Sequence, residues 1–269
     1  MADPRRGRPN RAWRPGGALQ RPHPHRLPPS SRRAGPLLAG GLLPPSPASA
    51  RRRKGSMMPT IEQARRWYET AEPAHDFEHV LRVYRMAERL ARAEGADLEI
   101  VRAAALLHDA RGAESGSGSA REAHHLVSAE FAAEVLEAEG WSRARVQAVQ
   151  HCIRAHRFRD DSEEPRTLEA KVLFDADKLD ALGAIGAARA IAYASQNGQP
   201  WYTPPSERFL QTGQKEPDEP HSAYHEYLFK LRHLRERLFT KTAQAIAEER
   251  LRYLSDFFER LIAEWEGRR

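Results

Sequence analysis

The sequence predicts an all-α fold, a helical bundle that closes with two long C-terminal helices. Three observations carry this. Apolar residues recur every three or four positions in segment after segment. Several of those segments open on a residue that caps helices well, among them Thr60, Asp97, Ser142 and Thr167. No stretch alternates apolar and polar residues as a half-buried strand does, and the sequence shows no internal repeat and no Gly-rich phosphate loop.

Taken in order, Thr60 caps a helix running through Ile61, Trp67 and Tyr68, and Pro73 ends it. A second helix starts near Asp76, with Val80, Val83, Met86, Ala87 and Leu90 at helical spacing and Gly95 at its C-terminal end. The third, opening at Asp97, is apolar all round through Ala103-Ala104-Ala105-Leu106-Leu107, which predicts a central buried helix. Residues 111–121 read as a mobile Gly/Ser loop. A helix over about 122–139 follows, then one from Ser142 to His156, then one from Thr167 that holds Val172, Leu173 and Asp175-Ala176-Asp177. Gly183 breaks that helix, and a small-residue helix continues to about Asn197. Residues 198–221, rich in Pro, Gly and Gln, read as an ordered lid or a floppy insertion. Helices over about 222–238 and 241–266 end the chain.

Composition divides the 269 residues in two. Residues 1–56 hold 13 Lys/Arg, one acid (Asp3) and 11 of the 19 prolines, without helix or strand periodicity; they read as a disordered leader. Translated upstream sequence, with the native start at Met57 or Met58, fits this composition better than a secretory or twin-arginine signal, a transit peptide or a basic nucleic-acid tail. Residues 57–269 hold 30 Lys/Arg and 36 Asp/Glu, so the overall charge of +6 belongs to the leader, and the domain is not expected to bind nucleic acid. Cys152 is the only cysteine, which excludes an intrachain disulfide and fits a reducing, cytoplasmic setting. No apolar run approaches the ~20 residues of a membrane span.

The chemistry gathers around Leu106-Leu107-His108-Asp109. A charge at the end of the most apolar helix is costly unless it is paired or bound to metal. Adjacent helical residues lie about 100° apart, so His108 and Asp109 can serve one ion only at a helix end, where the Gly/Ser loop begins. With His79 and Asp177 they supply two nitrogens and two carboxylates, a set that suits Mn first, with Mg, Fe, Co, Ni or Zn as alternatives. Arg82, one turn after His79, and Lys178 are placed to hold phosphate oxygens. Lys230 is a further substrate cation from the C-terminal helices. His156 is a substrate-binding candidate, whereas His151, five residues earlier, falls on another side of the helix and reads as structural.

These segments resemble the HD-domain metal-dependent phosphohydrolase superfamily over roughly residues 60–267. His79-Val80-Leu81-Arg82-Val83 resembles its first-ligand helix, Leu106-Leu107-His108-Asp109 its naming doublet, and Ala176-Asp177-Lys178-Leu179-Asp180 its last-ligand segment. Tyr227-Leu228-Phe229-Lys230-Leu231, Thr240 and Ala247-Glu248-Glu249-Arg250 resemble a subgroup of small stand-alone bacterial members, some of which release pyrophosphate from nucleoside triphosphates. The resemblance implies metal ligands at His79, His108, Asp109 and Asp177, with Asp109 also helping to place the attacking water. Where some members carry a catalytic Glu four residues after the doublet's His, this chain has Gly112; Glu122, His124 or His125 are candidates to stand in from across the loop. The activity expected is hydrolysis of a nucleotide or related phosphate ester. Phosphodiesterase, nucleotide monophosphatase and non-catalytic nucleotide sensor are the alternatives. The long C-terminal helices also allow a homo-oligomer.

Overall fold

The computed structural model describes residues 57–69, 77–111, 118–158 and 163–269, with the backbone alone for 118–123. The expected leader, His75-Asp76 and most of the Gly/Ser loop lie outside the described residues. Among those described there are helices and no strands. The helices are α1 (Ile61–Arg65), α2 (Phe77–Glu94), α3 (Leu98–Leu107), α4 (Gly118–Ala138), α5 (Arg143–Ala155), α6 (Leu168–Leu179), α7 (Gly183–Gln196), α8 (Glu207–Thr212), α9 (Ala223–Phe229) and α10 (Lys241–Trp265). Helix α4 begins four residues earlier than its periodicity suggested. No described helix is long and apolar enough to cross a membrane.

Three of the four expected caps bond as their chemistry predicts, while Ser142 holds the N-cap position of α5 without a side-chain hydrogen bond. Thr60 Oγ1 accepts from Gln63 N while Gln63 Oε1 accepts from Thr60 N, a reciprocal box at the start of α1. Asp97 Oδ1 accepts from Glu99 N and Ile100 N, and Thr167 Oγ1 from Ala170 N. Helix α3 is the centre of the core: Val101 and Ala103 through Leu107 are fully buried, packed among α2, α5 and α6. Burial on every side explains its uniform composition and leaves its C-terminal end, with the His-Asp doublet, held from all directions. The buried Tyr68 hydroxyl donates to Leu106 O (2.9 Å), satisfying one of the carbonyls that a helix end leaves without a partner.

One stretch differs from expectation, and a second falls on one side of an open alternative. Residues 222–238 do not form one long helix. Helix α9 stops at Phe229, Lys230 leaves helical geometry (φ −121°), and Leu231–Arg237 continue as a 3-10 turn. Leu228, Leu231 and Leu234 are spaced strictly by three and all are buried, which suits three residues per turn better than 3.6. Residues 198–221 are ordered. The Glu219 carboxylate accepts from Ser206 N, Ser206 Oγ, Glu216 N and His225 Nε2, and so ties the segment to α8 and α9. Gly213 (φ +72°) ends α8, where a Cβ would run into the Phe229 ring.

Helix α6 is divided by function. Asp175, fully buried, accepts from Phe239 N (2.9 Å), Thr240 N (2.8 Å) and Thr240 Oγ1 (2.7 Å), fastening the start of α10. Asp177 and Asp180 point the other way, toward α2.

Candidate metal centre

The packing of α2 along α6, with the ends of α3 and α5 alongside, gathers His79, His108, Asp109, His124, His156, Asp177 and Asp180. His108 is the C-cap residue of α3 and His156 that of α5. Each turns Nδ1 back onto the carbonyl three residues earlier, Ala105 O at 2.8 Å and Ile153 O at 2.6 Å. A carbonyl only accepts, so Nδ1 carries the proton in both rings and Nε2 is the atom offered to the cluster. His79 is oriented in the same way by a carboxylate: Nδ1 donates to Asp180 Oδ2 at 2.8 Å.

Asp109 stands in the middle and faces two ways. Its Oδ2 lies 3.6 Å from His108 Nε2 and 4.0 Å from His79 Nε2, and Asp177 Oδ1 lies 3.4 Å from His79 Nε2. Its Oδ1 lies 3.1 Å from His124 Nε2 and 3.5 Å from His156 Nε2. Two donor groups result, His79/His108/Asp109 and Asp109/His124/His156, each with its ligand atoms within 4.8 Å of one another. His108 Nε2 is fully buried and has no hydrogen-bond partner among the described residues, a costly state for a ring nitrogen unless a cation takes its lone pair. Imidazole nitrogens and carboxylate oxygens are the donors that borderline divalent ions prefer. The residues present therefore fit a divalent metal.

The electrostatics agree. Burial pushes His108 down to about 4, so it is a neutral ligand at working pH. Burial also works against a charged His79, but hydrogen bonds to Asp177 and Asp180 outweigh it and raise this ring to about 9. In the metal-free chain a proton on His79 thus supplies the positive charge that the carboxylates call for. Asp177 is held well below the usual carboxylate range; burial opposes this, and Lys178 and His79 prevail.

Cations ring the metal-binding side. Arg82 bonds Asp180 through both Nε (2.7 Å to Oδ1) and Nη2 (3.1 Å to Oδ2), and Arg189 Nη1 reaches Oδ2 at 2.5 Å. Both guanidinium side chains are about one-third exposed while Asp180 is buried, so they bridge the cluster and solvent. Lys178 Nζ donates to Asp177 Oδ2 (2.7 Å) and to His156 O (3.1 Å).

The expected residues His79, Arg82, His108, Asp109, His156, Asp177 and Lys178 are thus brought together. His156 enters as a donor beside Asp109 rather than as a remote substrate contact. Lys230 is not brought to this cluster: it sits where the expected long helix breaks, and its ammonium pairs with Glu226 (2.7 Å) on the exposed side of α9. His151 pairs with Glu163 (2.5 Å), a structural contact on another side of α5. Asp180, Arg189 and the full part of His124 escaped the sequence reading. Two signals existed: Asp180 is one turn from Asp177 on the same helix face, and Arg189 is the lone charged residue of an otherwise small, apolar α7.

An all-helical bundle with such a His/Asp donor centre and flanking guanidinium groups has the architecture of a metal-dependent phosphohydrolase. Residues 76–182 match the HD domain family. YpgQ of Bacillus subtilis (strain 168) is 32% identical over 213 residues, 77% of this chain and 94% of YpgQ. The crystal structure of YpgQ in complex with ADP superposes with a TM-score of 0.58 at 30% identity, covering 76% of this chain and 94% of that one. An HD-superfamily hydrolase from Bacillus thuringiensis superposes at 0.57, with 30% identity over 77% and 94% of the two chains. The chain belongs to the HD superfamily of metal-dependent phosphohydrolases.

Proposed function

We propose that this protein hydrolyses a nucleotide at a phosphoric anhydride bond, releasing pyrophosphate from a nucleoside triphosphate. The observation that carries the reading is the pair of guanidinium groups, Arg82 and Arg189, on one buried carboxylate at the edge of the donor centre. Two planar cations side by side suit a chain of phosphates better than a single ester. The relative solved with ADP supports a nucleotide as the ligand.

His79, His108, Asp109 and Asp177 would hold the ion, with Mn the first choice for this donor set. When bound there, a divalent ion polarises a phosphate oxygen and acidifies a water molecule. The chain does the rest. Arg82 and Arg189 bind and orient the phosphates, and Lys178 offsets charge that grows on the oxygens during bond cleavage. Asp109, between four imidazoles, places the attacking water and accepts its hydrogen bond. The buried, reduced Cys152 takes no part and is consistent with a cytoplasmic setting.

The test is turnover of residues 57–269, chelated and then reloaded with Mn, against nucleoside tri-, di- and monophosphates, cyclic dinucleotides and simple phosphate esters. Pyrophosphate together with a nucleoside monophosphate is the expected product pair. Phosphate alone would make the protein a phosphatase, and cleavage confined to diesters a phosphodiesterase. Binding without turnover would make it a sensor.

A further inference from the structure

Resting on the metal-binding reading, we propose that Arg157 limits this centre to one divalent ion per chain by holding His124 in a tautomer that cannot ligate. By spacing alone, Asp109, His124 and His156 form a second donor group, with the ligand atoms within 4.8 Å of one another. The hydrogen-bonding of the rings separates the two groups. His79, His108 and His156 each turn Nδ1 to an acceptor, Asp180, Ala105 O and Ile153 O; Arg189 Nη1 also lies 3.4 Å from His79 Nδ1, but the Asp180 carboxylate at 2.8 Å is the nearer partner and takes its proton. A neutral ring so held carries its proton on Nδ1 and offers the Nε2 lone pair to an ion.

His124 is turned the other way. Its Nδ1 lies 2.9 Å from Arg157 Nη1, a hydrogen-bond distance. A guanidinium has only donors and keeps its charge at every working pH. At this contact Nδ1 accepts, so the ring's single proton sits on Nε2, the atom 3.1 Å from Asp109 Oδ1. An ion on Nε2 would require the proton on Nδ1, and two N–H donors would then face each other across 2.9 Å. The charge of Arg157 also adds to the repulsion that a second ion meets from the first. Arg157 in its observed place and a second ion on His124 exclude one another. Arg157 follows His156 directly at the end of α5 and is partly exposed.

Two measurements test this. Nitrogen-15 NMR of the metal-free protein, with labelled histidine, should show His124 protonated on Nε2 and unprotonated on Nδ1; the opposite tautomer overturns the proposal whatever the metal does. Calorimetric titration with Mn, joined to electron paramagnetic resonance, should count one uncoupled ion per chain in the wild type and in Arg157→Lys, which keeps the donor. Arg157→Gln, whose amide oxygen can accept from Nδ1, should take up two ions with the spectrum of a coupled pair. Two coupled ions in the wild type, or one ion in Arg157→Gln, sinks the proposal. A wild type that binds no Mn fails the metal-binding reading itself, while the tautomer measurement still decides the part played by Arg157.

Discussion

The two halves of the centre share Asp109 and similar distances, yet they are built for different ends. On one side His79 and His108 have their Nδ1 atoms anchored to acceptors, and Asp177 adds a second carboxylate. On the other side His156 is anchored in the same manner, but His124 meets a guanidinium, and no second carboxylate stands beside it in the described donor group. Donor spacing is therefore an incomplete criterion for a metal site. The group behind each ring decides which nitrogen has a lone pair to give, and a donor-only neighbour reverses that choice.

The largest expected effect breaks the centre of the comparison. Asp109→Ala removes the carboxylate common to both halves; turnover should fall by roughly three orders of magnitude, the equivalent of several kcal/mol of lost transition-state stabilisation. Activity within tenfold of the parent would show that the doublet is not the working centre. Next comes the anchor of the first half. Asp180→Asn leaves every ligand in place but weakens the acceptor behind His79, and Mn affinity should drop about ten- to a hundred-fold. Calorimetry on the folded variant checks this, and unchanged affinity would remove Asp180 from the argument.

The pH dependence sharpens the same contrast. His79 is raised to about 9 in the metal-free chain, where burial is outweighed by Asp177 and Asp180, and an ion needs its Nε2 unprotonated. Between about pH 6.5 and 9, Mn affinity should climb roughly tenfold per unit, with about one proton released per ion. The sign for stability is opposite. A raised folded pKa stabilises the metal-free protein fully below about 6.5, and that contribution is lost as pH passes through 9. Thermal melts from pH 6 to 10, with and without Mn, would reveal both trends, and a flat metal-free profile would contradict the assignment.

Smaller effects fall on the flanks. Arg189→Ala removes one of the two guanidinium groups proposed to hold the phosphates and should raise KM about tenfold, with Mn affinity little changed. A variant that loses metal instead would make Arg189 part of the His79 anchor. Smallest of all, His151→Ala breaks only the partly exposed pair with Glu163. It should cost no more than ~1 kcal/mol in a melt and leave Mn binding unchanged; impaired binding would reopen the question of a ligand at that position.

Much of this was legible in the sequence because it is local. Apolar periodicity located the helices, cap residues placed the starts of α1, α3, α5 and α6, and the oily run before His108-Asp109 marked the buried helix end. The stretch 222–238 misled because three-residue spacing of leucines fits a 3-10 turn as well as an α-helix, and local pattern does not separate the two. Lys230 sits at the break between the two, which carries it away from the donor centre.

Local pattern along the chain sets the helical class, the central position of α3 and the donor types offered at His79, His108, Asp109 and Asp177. Each of these follows from interactions within a few residues. Which ring nitrogen faces the centre is set by the packing of separate helices, because for His79 and His124 the partner that sets it comes from elsewhere in the chain. Asp180 lies 101 residues from His79, and Arg157 lies 33 from His124. A hydrogen bond is sensitive to tenths of an ångström and to the direction of a lone pair, and packing of separate helices, not spacing along one of them, sets both.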